Sequence, residues 1–324
     1  MKKEKKEKKK KRRFGDRWDG TLIRDLDGMH LIMPMMYPSR CASEAFINVR
    51  VDLAETKKYL HEKNLQKPEY RYSFFHLLVT AIARCLTLRP KMNRFIANKN
   101  MYQRNEVSLA FTIKQSLTDD SEEGLAFLHT KEDSTLESIR EDMRVQIENC
   151  KKGGTDPSSE ALNFFTKVPR FFTKAFVKVA RWLDRRGKLP RSLIATDPYY
   201  SSCVISNLAS VRVGSCYHHL TEWGTTSFFV TMGEMKKYAH FAADGTYEMR
   251  DCIDLGLTID ERIADGYYYG KTIRLLRTVL EHPWILEETL STPVVVSPKK
   301  GAGKTAEPKE ETTTQEKQVE NKQD

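Results

Sequence analysis

The chain has 324 residues, of which 40% are hydrophobic and 30% are charged. This composition supplies a sizeable apolar core and excludes a fibrous, collagen-like or wholly disordered protein. The formal net charge is +10, but residues 2–13 alone hold eight Lys, two Arg and two Glu. Because the rest of the chain is nearly neutral, the charge belongs to one end, and nucleic-acid binding is disfavoured.

Six cysteines are scattered without a Cys-x-x-Cys pair, so we expect reduced thiols and no metal site. No apolar run approaches the roughly 18 residues of a membrane span. The stretch after the Lys run is rich in Asp and Arg, where a signal peptide would be apolar. The sequence therefore predicts a cytoplasmic protein.

Both ends of the chain have the composition of solvated tails. Residues 1–13 form a basic block, and residues 298–324 are mostly Lys, Glu, Thr and Gln. We expect these two segments to be disordered. The sequence predicts one folded domain between them, over residues 14–297.

Predicted strands and helices alternate along this domain. In chain order we expect a strand at 45–53, a helix at 53–63, a helix at 74–88, a strand at 107–113 and a helix from 134 to about 153. Further strands are expected at 202–208, 225–232, 236–242 and 246–259, followed by a helix at 267–281. Interleaved strands and helices are typical of a single α/β domain.

Four segments carry a recognisable pattern. They are Arg89-Pro90-Lys91-Met92-Asn93 at a helix end, the strand Val204-Ile205-Ser206-Asn207-Leu208, the strand ending in Thr231-Met232-Gly233, and Asp260-Glu261-Arg262-Ile263-Ala264-Asp265-Gly266. In this order they resemble the catalytic domain of the dihydrolipoyl acyltransferases of 2-oxo acid dehydrogenase complexes and, more distantly, chloramphenicol acetyltransferase. The last segment is similar to that family's Asp-His-Arg-x-x-Asp-Gly signature. The resemblance covers most of residues 28–290.

This resemblance implies an α/β fold, a two-layer sandwich with a mixed sheet of the chloramphenicol acetyltransferase type. It also implies a homotrimer with active sites at the subunit interfaces. The implied activity is acyl transfer between coenzyme A and an acceptor that the sequence does not identify. We expect no metal and no lipoyl group of the chain's own, because no lipoyl-bearing or subunit-binding segment precedes the domain.

In the family, the signature histidine takes a proton, and a hydroxyl or amide in the Ser-Asn strand donates to the oxyanion. By resemblance, Ser206 is the oxyanion donor and Asn207 its helper, while Asp265 matches the aspartate that orients the site. The main departure is Glu261, which stands where the family has histidine. Two interpretations stay open: Glu261 is the base, or it pairs with Arg262 or another cation and moves no proton.

A carboxylate is the weaker base, since reference pKa values are about 4.3 for Glu and 6.5 for His. Two other places in the sequence offer a histidine as a substitute base. His240 fits a His-x-x-x-Asp-Gly pattern, but its Asp244-Gly245 is predicted to be a hairpin turn between strands. His218 and His219 lie in a loop that could supply a base, although such histidines are usually only solvated.

Residues 161–191 form a basic amphipathic insertion with nine Lys or Arg and one Asp. Cations recur at spacings of three and four, opposite an apolar stripe made of Phe165, Val168, Phe172, Phe176, Val179 and Leu183. Three interpretations stay open. Residues 165–186 lie on an anionic membrane surface, they form a positive wall for coenzyme A phosphates, or they are an ordinary helix whose Phe face covers the core or a subunit contact.

The leading hypothesis is a coenzyme A dependent acyltransferase with Ser206 at the oxyanion and Glu261 or a substitute as the base. The alternative is a catalytically inactive trimer of the same fold that serves as a binding or membrane-associated scaffold.

Overall fold

The structure is a computed structural model that describes residues 12–114, 123–151, 168–194 and 197–295. Met1–Val294 form one compact unit, and Val295–Asp324 form a second, of which only Val295 is described. The predicted tail at 298–324 therefore lies outside the described residues, as does the tail at 1–13 apart from Arg12 and Arg13.

The strands are β1 (Gly20–Leu22), β2 (Glu44–Asp52), β3 (Arg94–Ala97), β4 (Asn100–Arg104), β5 (Val107–Lys114), β6 (Glu123–Thr130), β7 (Cys203–Asn207), β8 (Phe228–Phe241) and β9 (Tyr247–Asp260). The helices are α1 (Gly28–Met36), α2 (Ala54–Leu65), α3 (Phe74–Leu88), α4 (Leu136–Lys151), α5 (Arg170–Arg185), α6 (Arg191–Ile194) and α7 (Gly266–Glu281).

The strands form two sheets. The larger has the order β2-β9-β8-β7-β5-β6, and the smaller has the order β1-β4-β3. In the larger sheet β5, β7 and β8 pair in parallel, whereas the other pairs are antiparallel. Because α3, α4 and α7 pack together against one face of this sheet, the predicted two-layer α/β sandwich with a mixed sheet is confirmed.

The main core lies between α3 and the larger sheet. Leu77, Leu78 and Ile82 of α3 are fully buried there. The helix begins at a capping box, in which the backbone N–H of Ser73 donates to Nδ1 of His76. It ends before Pro90, which cannot continue a helix. The predicted helix at 74–88 is therefore confirmed.

The predicted break between strands 225–232 and 236–242 is wrong. Residues 228–232 and 236–241 of these segments belong to β8, which pairs with β9 on either side of an irregularity between Met232 and Met235. The backbone of Ser215 lies close against Gly233 within this irregularity, and the ladder continues beyond it. The small sheet and α1 were not predicted, since the three strands have only three to five residues each and Pro34 interrupts the helical pattern of α1.

The predicted basic insertion at 161–191 contains the whole of α5, and its last residue, Arg191, is the first residue of α6. Phe165, which belongs to the predicted apolar stripe, lies outside the described residues. Within the part of the chain that the structure describes, no helix is both long and apolar enough to cross a membrane.

Candidate active site

The larger sheet has two chemically different faces. Alternate residues of β7 separate them: Cys203 and Ile205 enter the main core beneath the helices, whereas Val204 faces the other way and packs with Phe229 of β8. We call the second side the outer face. Ser206 follows Ile205 and therefore also points to the outer face.

An extended segment, residues 213–220, crosses the outer face; we call it the outer segment. The hydroxyl of Thr231 on β8 donates to the carbonyl oxygen of Cys216. The backbone N–H of Leu220 donates to the carboxylate of Glu44 on β2 at 2.6 Å. These two hydrogen bonds, one to β8 and one to β2, hold the outer segment against the sheet.

The outer segment places an imidazole on this face. The ring of His218 stacks on that of Phe229, with centroids 4.1 Å apart and planes 7° from parallel. Nδ1 of His218 lies 2.7 Å from the carbonyl oxygen of His219, so Nδ1 is the donor and Nε2 of the neutral ring can accept a proton. Phe229 pairs with Val204, and Ser206 follows on the same face about 7 Å farther along β7.

Ser206 lies at the end of β7, where it pairs with Thr231 of β8. It is partly exposed, and its hydroxyl has no hydrogen-bond partner among the described residues. The side-chain oxygen of Asn207 is buried and likewise lacks a partner within the described ranges. The strand end thus holds a hydroxyl that is free to donate a hydrogen bond to a reacting oxygen.

The residues that flank Glu261 form a buried ion pair. The guanidinium of Arg262 donates to both carboxylate oxygens of Asp260, at 2.8 and 2.7 Å, and also to the carbonyl oxygen of Tyr37 at 2.7 Å. A second guanidinium, that of Arg40, lies 3.9 Å from Asp260. Burial outweighs the neighbouring carboxylates and lowers the pKa of Arg40.

Glu261 itself is partly exposed at the start of a 3-10 turn. Its backbone N–H donates to the carbonyl oxygen of Ser43 at 2.9 Å. The interpretation in which Glu261 pairs with Arg262 is wrong, because Arg262 is bound by Asp260. No other ion-pair partner of the Glu261 carboxylate occurs among the residues that the structure describes.

Glu261 follows the end of β9 and lies far from Ser206 along the strands. Ser206 pairs with Thr231, which in turn pairs with Gly256 of β9. Asp260 lies four residues beyond Gly256, or about 14 Å along the strand, and Glu261 comes after it. One protomer therefore does not bring these two predicted site residues together, and they can meet only between copies of the chain.

Asp265 caps a helix. Its carboxylate accepts a hydrogen bond from the backbone N–H of Tyr268 at 2.8 Å, at the N-terminus of α7. This bond lowers the pKa of Asp265 below its usual value. The role in orienting the site that the resemblance implies for Asp265 stays a prediction.

The remaining candidate histidines lie elsewhere. His219 is exposed, with Nδ1 3.4 Å from the carboxylate of Glu44. His240 lies on the exposed hairpin of β8 and β9, opposite Glu248, as the Asp244-Gly245 turn predicted. Among the described residues, no cluster of His, Cys, Asp and Glu could hold a metal ion.

Sequence reasoning named His218 but did not associate it with Ser206. The outer segment carries no local signal for this: Tyr217 packs near Phe46 of β2 and His218 stacks on Phe229 of β8, two rings on the same face of the sheet. Which strand lies beneath each side chain depends on the strand order, and the sequence does not give that order.

No protein-family model matches the sequence, and no curated protein matches it. Among solved structures, a probable dihydrolipoamide acetyltransferase from Listeria monocytogenes 4b F2365 is 13% identical, with a TM-score of 0.54 over 80% of this chain and 94% of its own. The cubic core of the pyruvate dehydrogenase multienzyme complex is 12% identical, with a TM-score of 0.55 over 82% and 94%. A chloramphenicol acetyltransferase is 11% identical, with a TM-score of 0.50 over 81% and 99%. At these identities the likeness establishes the fold.

Proposed function

We propose that this chain, which has the fold of chloramphenicol acetyltransferase-like acyltransferase catalytic domains, transfers an acyl group between coenzyme A and a second acceptor. One observation carries the proposal: the Ser206 hydroxyl and the imidazole of His218 lie on the same face of the sheet. A base and an oxyanion donor are the groups that acyl transfer from a thioester requires.

The proposed reaction uses acyl coenzyme A as a substrate. The acceptor's thiol or hydroxyl attacks the thioester carbonyl through its sulfur or oxygen atom. As it attacks, Nε2 of His218 accepts its proton. The carbonyl oxygen becomes an oxyanion and accepts a hydrogen bond from Ser206, with Asn207 adjacent. Collapse of this intermediate breaks the carbon–sulfur bond, and the coenzyme A thiolate takes the proton back from the imidazolium. None of these steps uses a metal or a lipoyl group of the chain's own.

His218 thus supplies the imidazole that position 261 lacks. Glu261 remains the alternative base, but it can act on the same substrate as Ser206 only from a second copy, so that alternative depends on the proposed homotrimer. Exposed apolar side chains on α1 support such an assembly, among them Met29 and Met36. α1 contacts the turn that carries Glu261, so a copy bound there would face that turn.

A second function, a catalytically inactive trimeric scaffold, is favoured by one observation: a glutamate occupies the position of the family's base. The two functions differ in whether coenzyme A thiol is released. Contact with an anionic membrane is compatible with either, because α5 lies in a different part of the fold.

The test is release of free thiol from acetyl coenzyme A by the wild-type chain and by Glu261→Gln and Glu261→His, with coenzyme A binding followed by calorimetry. Release by wild type and by Glu261→Gln at equal rates supports His218 as the base. Loss of activity in Glu261→Gln with binding retained moves the base to Glu261. No release by wild type, together with release by Glu261→His, supports the scaffold and overturns the enzymatic proposal.

A further inference from the structure

α5 carries its positive charge on one narrow side. At about 100° per residue, five cations fall within an arc of about 80°; they are Arg170, Lys174, Lys178, Arg181 and Arg185. We call this the basic arc. The helix contains one acid, Asp184. Its side chain is buried and lies outside the basic arc. The arc is therefore an uncompensated row of positive charge.

Large apolar side chains stand beside the basic arc and are not buried. Phe171 is 75% exposed, Phe172 61%, Val179 56% and Trp182 52%. They occupy a second arc of about 100° that begins where the basic arc ends; we call it the apolar arc. The interpretation in which the Phe face covers the core is thus wrong for Phe172 within one protomer.

The third side of α5 anchors the helix to the domain. Ala180 is buried in a cluster with Leu189, Ile194 and Tyr200. Asp184 pairs with the guanidinium of Arg17 at 2.9 Å, which also binds Asp19 at 2.9 Å. Burial would lower the pKa of Arg17, but these two carboxylates outweigh it and raise that pKa. Because the anchor is opposite the apolar arc, the helix is held with its apolar and basic sides turned outward.

We propose that α5 is a docking surface for an anionic lipid bilayer. The helix lies in the plane of the interface, with the apolar arc among the upper acyl chains and the basic arc among the headgroup phosphates. Adjacent apolar and basic sides with aromatic residues fit this boundary, where apolar and charged surroundings meet within one helix diameter. This inference does not depend on acyl transfer.

Other occupants match only part of the surface. Coenzyme A phosphates or a nucleic acid would satisfy the basic arc but leave Phe171, Phe172 and Trp182 in water. A second copy docked helix to helix would cover the apolar arc but offer no exposed acid from its own α5 to the basic arc. An anionic bilayer satisfies both arcs at once.

The primary test is flotation of the full chain with phosphatidylcholine vesicles and with vesicles of phosphatidylcholine and phosphatidylserine at 7:3. The variant Lys174→Gln/Lys178→Gln/Arg185→Gln removes three charges from the basic arc. The matched control, Lys271→Gln/Arg274→Gln/Arg277→Gln, removes three exposed charges from α7, which also has 16 residues. Each lysine or arginine near an anionic surface contributes about fivefold, so we expect roughly 100-fold weaker partitioning for the α5 variant and little change for the control.

A second readout locates the contact. Brominated lipid should quench the fluorescence of the bound chain, and Trp182→Phe should remove most of that quenching while partitioning is retained. Because the Lys-rich residues 2–11 could bind anionic vesicles by themselves, a chain lacking them serves as a further control and should still float.

The proposal would be overturned if the wild-type chain did not bind the phosphatidylserine vesicles. It would also be overturned if the α5 variant and its α7 control lost binding equally. A third contradicting result is binding that is lost on removal of residues 2–11 but not in the α5 variant. Weaker coenzyme A binding by the α5 variant with unchanged flotation would assign the basic arc to coenzyme A instead.

Discussion

Asp260 and Arg262 form a buried, bidentate ion pair across the residue that separates them, Glu261. The side chains of the pair are 0% and 2% exposed, whereas Glu261 is partly exposed. In this turn Asp260 and Arg262 stabilise the fold through their ion pair, whereas the side chain of Glu261 takes no part in that pair and is available for another role.

Removing the carboxylate of this pair should destabilise the fold. In Asp260→Asn the Arg262 guanidinium keeps its charge but loses its buried partner, which typically costs about 3–5 kcal/mol. Urea unfolding should show that loss. The control is Glu261→Gln, at a carboxylate without an ion pair, where we expect a change within about 0.5 kcal/mol. Equal effects of the two substitutions would contradict this division of roles.

Ser206→Ala should slow acyl transfer without weakening coenzyme A binding. Loss of one oxyanion donor typically lowers kcat about 100-fold or more. The control is Ser210→Ala, whose hydroxyl donates to the carbonyl oxygen of Asn207 at 2.8 Å and has no assigned role. Steady-state thiol release distinguishes them, and matching kcat values for the two variants would remove Ser206 from the mechanism.

Gly256 allows the outer segment to lie close to β9. A Cβ at this position would overlap the carbonyl oxygen of Cys216, so Gly256→Ala should displace the outer segment and His218 with it. We expect lower kcat and lower stability. Gly270→Ala is the control, because nothing lies within 4 Å of its Cβ position, and alanine should favour helix α7 by up to about 1 kcal/mol. Unchanged activity in Gly256→Ala would show that His218 does not need this contact.

His76 should make the fold sensitive to acid. Burial, followed by the charge of Arg140, lowers the pKa of His76 to about 4. The unfolded chain binds this proton more readily, so the stabilisation is complete above about pH 6.5 and is lost as the pH falls toward 4. Between pH 8 and pH 5 this group should remove about 2 kcal/mol of stability.

Urea unfolding of the wild type and of His76→Gln at several pH values checks this prediction. The variant should lack that part of the pH dependence, although it is less stable at pH 8 because its side chain replaces the acceptor of the Ser73 N–H bond. Parallel pH profiles for the two chains would contradict the assignment.

Local sequence signals predicted much of the fold. Ser73 and Pro90 bound α3, and the turn at Asp244-Gly245 joins β8 and β9. These elements are determined by residues that are close together in the sequence, so they can be predicted from a single sequence. The resemblance added the two-layer sandwich, which the structure confirms.

The arrangement of the candidate site could not be predicted in the same way. Arg262 has carboxylates at both 260 and 261 as sequence neighbours, and burial of the turn selects Asp260. The separation of Ser206 from Glu261 depends on the register of three strands. The contact of His218 with Phe229 likewise depends on where the outer segment crosses β8.

The central claim is that His218 accepts the proton during acyl transfer. The most direct measurement compares thiol release from acetyl coenzyme A by wild type, His218→Gln and the matched His240→Gln across pH 5 to 9. We predict that His240→Gln follows the wild type, whereas His218→Gln loses about 100-fold or more in kcat. Equal rates and profiles for all three chains would contradict the claim.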